Sequence, residues 1–247
     1  MTEEAKDRVA VVTGASGGIG RAVVHRLARD GWAIGVHYAG NRSRAGDIVN
    51  AVTDDGGRAV AVGGDVADET VMATVFDTVE ARFGGIDAVI HTAGVMRLAP
   101  IVDLDLTELD DMHRTNIRGT FVVNQQAARR VRGGGAIVNF STSVTGLQFP
   151  SYGGYVAGKG AVEAITLILA RELRGRDVTV NAVAPGPTAT PLFLEGKDDK
   201  TIAGLAHQAP LERLGTPDDI AELVGFLVSP AGHWVNGQNI RTNGGIV

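Results

Sequence analysis

Tyr155 and Lys159 stand four residues apart in Tyr155-Val-Ala-Gly-Lys159, with Ser143 upstream of them. On a helix that spacing places both side chains on one face, with Cβ atoms roughly 5–6 Å apart. A phenol beside an ammonium releases its proton more readily than a free tyrosine, whose pKa of about 10 is too high for efficient exchange near neutrality. Near the start of the chain, Thr13-Gly-Ala-Ser-Gly-Gly-Ile-Gly20 supplies a Gly-rich turn that suits a dinucleotide. Together the two features point to hydride transfer between a nicotinamide and an alcohol or carbonyl.

The elements that must position these groups read as alternating strands and helices. Val9–Thr13 is an apolar run ending at the glycine turn, and Gly18–Asp30 carries apolar residues at a helical period. Strands are predicted at Ala33–Tyr38, Arg58–Gly63, Ile86–His91, Ala136–Phe140, Val178–Ala182 and Asn239–Thr242. Between them lie helices over Arg44–Asp55, Glu69–Phe83, Thr107–Val131, Tyr155–Arg174 and Asp218–Val228. Thr107-x-x-Asp110 has the form of a capping box at the start of the long helix. The alternation argues an α/β fold, one doubly wound Rossmann-type domain whose parallel sheet is covered on both faces.

Gly14, Gly18 and Gly20 follow the first strand and open the first helix. Small residues there let backbone N–H groups approach a pyrophosphate, and the helix N-terminus adds partial positive charge. The spacing is Gly-x-x-x-Gly-x-Gly, so the turn alone also fits a ligand-free βα connection. The second strand ends His37-Tyr38-Ala39-Gly40-Asn41-Arg42-Ser43. An acidic residue here would grip a ribose 2′-hydroxyl; instead Arg42 is placed to pair with a 2′-phosphate, with Asn41 and Ser43 as donors. NADP(H) is therefore favoured over NAD(H). Asp65-Val66 after the third strand fits an adenine edge, and equally fits a plain loop.

The chain has 247 residues, a net charge of −5, 44% hydrophobic and 21% charged residues, which suits one soluble domain with a sizeable core. The short basic cluster Arg129-Arg130-Val131-Arg132 reads as a solvated helix end, so no nucleic-acid partner is expected. The absence of cysteine excludes disulfides, thiolate chemistry and Cys-type zinc sites. The six histidines lack a helical zinc spacing, and no metal is expected. Met-Thr-Glu-Glu-Ala-Lys-Asp-Arg has no apolar leader core and no long apolar run occurs, so the expected location is cytoplasmic, without a membrane partner.

Read together and in order, these segments resemble the short-chain dehydrogenase/reductase family across essentially the whole chain. Thr13–Gly20 resembles its cofactor loop, implying contacts from Gly14, Ser16, Gly18, Ile19 and Gly20. His91-Thr-Ala-Gly94 is similar to its Asn-Asn-Ala-Gly element, implying Ala93 and Gly94 against the nicotinamide ribose. Asn116 in Asn-Ile-Arg-Gly119 is similar to its helix asparagine, and Asn181-Ala-Val-Ala-Pro-Gly-Pro-Thr-Ala-Thr190 to its nicotinamide-side loop, implying Pro185, Gly186, Thr188 and Thr190. The ending Asn236–Gly245 is similar to that of β-ketoacyl-carrier-protein and polyhydroxynaphthalene reductases. The resemblance implies a seven-stranded sheet of order 3-2-1-4-5-6-7 and a homotetramer or homodimer. It also implies a catalytic set of Asn116, Ser143, Tyr155 and Lys159, in which Tyr155 exchanges the proton and Ser143 bonds the developing alkoxide. Lys159 would hold ribose hydroxyls, and Asn116 would anchor a water that reloads Lys159.

Three departures accompany the resemblance. Gly17 stands where many NADPH-using relatives carry a basic residue, which leaves the phosphate to Arg42. His91-Thr92 replaces two asparagines. Ser143 keeps the Ser-x-x-Gly spacing to Gly146 but lies twelve residues before Tyr155, one fewer than usual, with Ser141 as the competing serine. The cofactor half should span about 8–145, the catalytic half about 146–247, and a lid about 188–212. Met96, Gln148, Phe149, Leu192 and Phe193 are candidate walls for a small ketone or β-ketoacyl group. The rival readings are a cofactor-binding regulatory protein without chemistry and a methyl transferase.

Overall fold

The structure is a computed structural model that describes residues 8–247. The leader reading of Met1–Asp7 lies outside the described residues. Strands β1 (Val9–Thr13), β2 (Ala33–Tyr38), β3 (Arg58–Gly63), β4 (Ile86–His91), β5 (Val131–Phe140), β6 (Thr179–Pro185) and β7 (Asn239–Thr242) form one sheet. Every pairing is parallel, in the order β3-β2-β1-β4-β5-β6-β7. Inner strands such as β1 are buried along their whole length, as continuous apolar runs must be when helices cover both faces.

One face carries α1 (Gly18–Arg29), α2 (Arg42–Asp54) and α10 (Pro217–Leu227), which pack Val23, Leu27, Ile48, Ile220 and Val224 on the sheet. The other carries α3 (Glu69–Phe83), α5 (Gly119–Arg130) and α7 (Gly153–Glu172), with Phe76, Val123 and Leu169 in the core. Chain order runs outward in opposite directions from β1 and β4, so a crevice opens at their C-terminal ends. Thr13 pairs with His91, and His91 with Asn139, which aligns three strand ends along that crevice. The remaining helices are short connectors: α4 (Leu106–His113), α6 (Val144–Leu147), α8 (Pro191–Leu194) and α9 (Asp199–Gln208).

The expected helix over Thr107–Val131 is two helices joined by a π-helical turn at Arg114–Arg118. A single wide turn leaves the apolar period almost unchanged, so the sequence pattern runs straight through it. Its N-cap is Asp105, which accepts from the N–H groups of Thr107 and Glu108, rather than Thr107. The fifth strand begins at Val131, five residues early, because a register shift opposite Ile86–Ala88 takes up Arg132–Gly135. The sixth strand runs on to Pro185 because β7 pairs with Ala182–Pro185. Helix α7 starts at Gly153, where the missing side chains admit Ile101, Leu109 and Met112. In the basic cluster, Arg130 is paired with Asp77 and Glu80, and Arg132 with Asp87. No described helix is long and apolar enough to cross a membrane.

Candidate active site

The turn from β1 into α1 is shaped by close backbone approach. Gly14 has φ +64°, and a Cβ there would sit 2.8 Å from the backbone of Ala93. Above the turn, Gly17 caps α1 without any side-chain hydrogen bond, which leaves the first-turn N–H groups of Gly18, Ile19 and Gly20 to the crevice. Gly14, Ser16, Gly18, Ile19, Gly20, Asp65, Val66, Ala93 and Gly94 line one cleft of about 650 Å³, within the ~300–1,000 Å³ of small-molecule sites. A side-chain-free cradle with a bare helix N-terminus suits a pyrophosphate, so the residues present fit a nicotinamide dinucleotide.

At the adenosine end the same cleft is lined by His37, Ala39 and Gly40, which sequence reading did not single out. Asn41, Arg42 and Ser43 follow them and are not lining residues. The Asn41 side chain accepts from the Arg44 N–H as the N-cap of α2, and Arg42 is the exposed first residue of that helix. Asp65 accepts from the Ala67 N–H and pairs with Arg114 at 2.5 Å.

Tyr155 and Lys159 lie on one face of α7, the ammonium 5.7 Å from the phenol ring centroid. Lys159 is buried and donates to the Phe140 carbonyl at 2.7 Å. Burial pushes the lysine down to about 8. Burial also pushes the Tyr155 phenol up to about 12; Tyr152 adds to the rise and a hydrogen bond from Thr142 opposes it. The expectation that neighbouring Lys159 lowers the tyrosine is therefore reversed: each group, taken out of water, favours its neutral form.

The three hydroxyls at the end of β5 face different partners. Ser141 donates to Glu163 Oε1 at 2.5 Å. Ser143 is fully buried, donates to the Ala184 carbonyl at 2.9 Å and accepts from Asn243 Nδ2 at 3.0 Å. Thr142, between them, accepts from the Val144 N–H at 3.3 Å.

Asn116 sits inside the π turn with its side chain spanning to the strand-four loop. Oδ1 accepts from the Val95 N–H at 2.9 Å, and Nδ2 donates to the Val95 carbonyl at 2.8 Å. Its own carbonyl accepts from Thr120 Oγ1. That commits the Thr120 proton, so His91 Nε2–H donates to Thr120 and His91 Nδ1 accepts from Thr13. Thr92 Oγ1 donates to the Thr13 carbonyl at 2.6 Å. The His-Thr pair thus ties β1, β4 and the π turn together beneath Ala93 and Gly94. Gly94 lets Asn116 and Lys159 close in, since a Cβ there would lie 3.2 Å from Asn116 Oδ1 and 3.5 Å from Lys159 Nζ.

Beside Tyr155 and Lys159 a second cavity continues from the cleft. Met96, Phe149, Leu192 and Phe193 line it as the sequence suggests, together with Leu147, Tyr152 and Leu205. Gln148 does not: it has φ +54° at the end of α6 and is exposed. Pro185, Gly186 and Thr188 line this second cavity and not the cleft, whereas Thr190 lines both, caps α8 and packs against Gly18.

A family model described as enoyl-(acyl carrier protein) reductase matches residues 14–247. A short-chain type dehydrogenase/reductase of Picea abies is 41% identical over 250 residues, covering 97% of this chain and 92% of that protein. The 3-oxoacyl-[acyl-carrier-protein] reductase FabG of Staphylococcus aureus is 36% identical, covering 96% and 97%. The crystal structure of a short chain dehydrogenase from Burkholderia cenocepacia in complex with NADP superposes with a TM-score of 0.91 at 34% identity, covering 98% of each chain. With the sheet order, the glycine cradle and the paired Tyr155 and Lys159 in place, this chain belongs to the short-chain dehydrogenase/reductase family.

Proposed function

We propose that this oxidoreductase reduces a ketone or β-ketoacyl group to a secondary alcohol, with NADPH favoured over NADH and Tyr155 as the proton donor. The observation that carries the reading is the placement of Tyr155 and Lys159 where an apolar cavity meets the glycine-lined cleft. The bound cofactor supplies the hydride. Tyr155 holds its proton firmly at neutral pH and donates it to the carbonyl oxygen as negative charge develops there and makes that oxygen basic enough to take it. Lys159 places positive charge beside the phenol and keeps the ribose side of the cleft attractive to hydroxyls. A hydroxyl at the end of β5 bonds the same oxygen. Asn116 holds the Val95 segment, and through it the wall behind Lys159.

The NADPH preference rests on the absence of a carboxylate at the end of β2 and on Arg42 beginning the adjacent helix. Leu192, Phe193 and Leu205, from the segment 188–212, form a lid over the cavity in this reading. A homotetramer or homodimer working in the cytoplasm belongs to the same proposal. The test is NADPH oxidation across a ketone and β-ketoacyl panel, repeated with NADH and with Tyr155→Phe.

A further inference from the structure

The chain holds seven phenylalanines, three tyrosines and two tryptophans, and Phe140, Phe149, Tyr152, Tyr155 and Phe193 all line the cavity beside Lys159. Three of these rings form a series. Phe149 and Tyr152 meet edge to face with centroids 5.8 Å apart, and Tyr152 and Tyr155 do the same at 6.4 Å. Both distances lie within the ~4.5–7 Å over which aromatic quadrupoles attract one another. The series ends on the ring that carries the proposed proton donor.

Charge is nearly absent from the same wall. Among the described residues, Lys159 is the one lining side chain with a formal charge, and its ammonium already donates to the Phe140 carbonyl. No arginine or histidine lines the cavity to pair with a carboxylate or a phosphate. The volume sets the size of the occupant. The cavity holds about 160 Å³, and an apolar cavity of about 150 Å³ takes up one benzene.

We infer that the substrate is an uncharged ketone bearing a single aromatic ring, seated against Phe149 and Tyr152 with its carbonyl at Tyr155. A ring in that place extends the edge-to-face series. A saturated ring of the same size displaces the same water but has no quadrupole to offer. An acyl group carried on a phosphate-bearing arm brings charge that this wall does not meet.

The inference rests on the proposed carbonyl reduction, and the experiment separates the two. Wild type is assayed with NADPH on 4-phenyl-2-butanone, 4-cyclohexyl-2-butanone and acetoacetyl-coenzyme A. The first two carry matched carbonyls and differ in the aromaticity of the ring. Expected is a kcat/KM at least about fivefold higher for the phenyl than for the cyclohexyl ketone, the combined effect of two ring contacts, and higher than for the thioester. Tyr152→Leu and Phe149→Leu should each lower the phenyl-to-cyclohexyl ratio, and Tyr152→Phe should keep it. NADPH affinity by fluorescence should stay within a few-fold of wild type in all three. Equal kcat/KM on the two ring ketones, a ratio that survives both leucine variants, or a preference for acetoacetyl-coenzyme A overturns the inference and leaves the reduction standing. A wild type inert toward every carbonyl in the set overturns the reduction, and the inference with it.

Discussion

Burial acts on Tyr155 and Lys159 in opposite directions, holding the phenol near 12 and the lysine near 8. Below about pH 8 the pair is therefore a neutral phenol beside an ammonium, the state the proposed reduction requires. Above it Lys159 loses its charge while Tyr155 still keeps its proton. The sign follows: kcat/KM for reduction at saturating NADPH should be level on the acid side of about pH 8 and fall on the alkaline side. A pH–rate profile that runs level through that value contradicts a required Lys159 charge. The pair itself was legible in the sequence because a helical i, i+4 spacing fixes proximity. The partners of the two serines were not, because Glu163, Ala184 and Asn243 come from distant parts of the chain. The direction of the Tyr155 shift was also hidden, since sequence spacing reports neighbours and says nothing of desolvation.

At the scale of elements, local chemistry decides what the sequence can reveal. Helix α3 runs from Glu69 to Phe83 as read, because Asp68 caps it at one end and Gly84 at φ +83° ends it at the other. The π turn that seats Asn116 left no such mark, and the expected single helix hid the feature that aims Asn116 at Val95. The glycine turn makes a sharper claim. A Cβ on Gly20 would overlap the Gly14 carbonyl oxygen and sit 2.8 Å from Thr92 Oγ1. Gly20→Ala should therefore cost ~1–3 kcal/mol of stability by overpacking and weaken NADPH binding at least tenfold. Chemical denaturation and cofactor fluorescence measure both effects, and a Gly20→Ala variant binding NADPH like wild type would remove the turn from the cofactor site.

For the whole molecule, the strand order places every functional segment at one end of the sheet, and that order was implied by the family likeness rather than by composition. What covers the far side of α5 and α7 is a question of assembly. Phe121 is 53% exposed on α5, and Leu167 and Ile168 are 43% and 57% exposed on α7, on the same face of the sheet. We propose that these exposed apolar side chains meet a second copy of the chain. Light scattering should report a dimer or tetramer for wild type and a monomer for the Phe121→Asp, Ile168→Asp double variant. A monomeric wild type, or an unchanged assembly in the variant, contradicts that placement.

The proposed function turns on a proton delivered by Tyr155. The most direct measurement is NADPH oxidation by wild type and Tyr155→Phe on a responsive ketone, with NADPH affinity determined for both. The account predicts that wild type forms one alcohol per NADPH oxidised, and that Tyr155→Phe loses at least about 10²-fold in kcat with NADPH affinity within a few-fold of wild type. Turnover by Tyr155→Phe at the wild-type rate would contradict it.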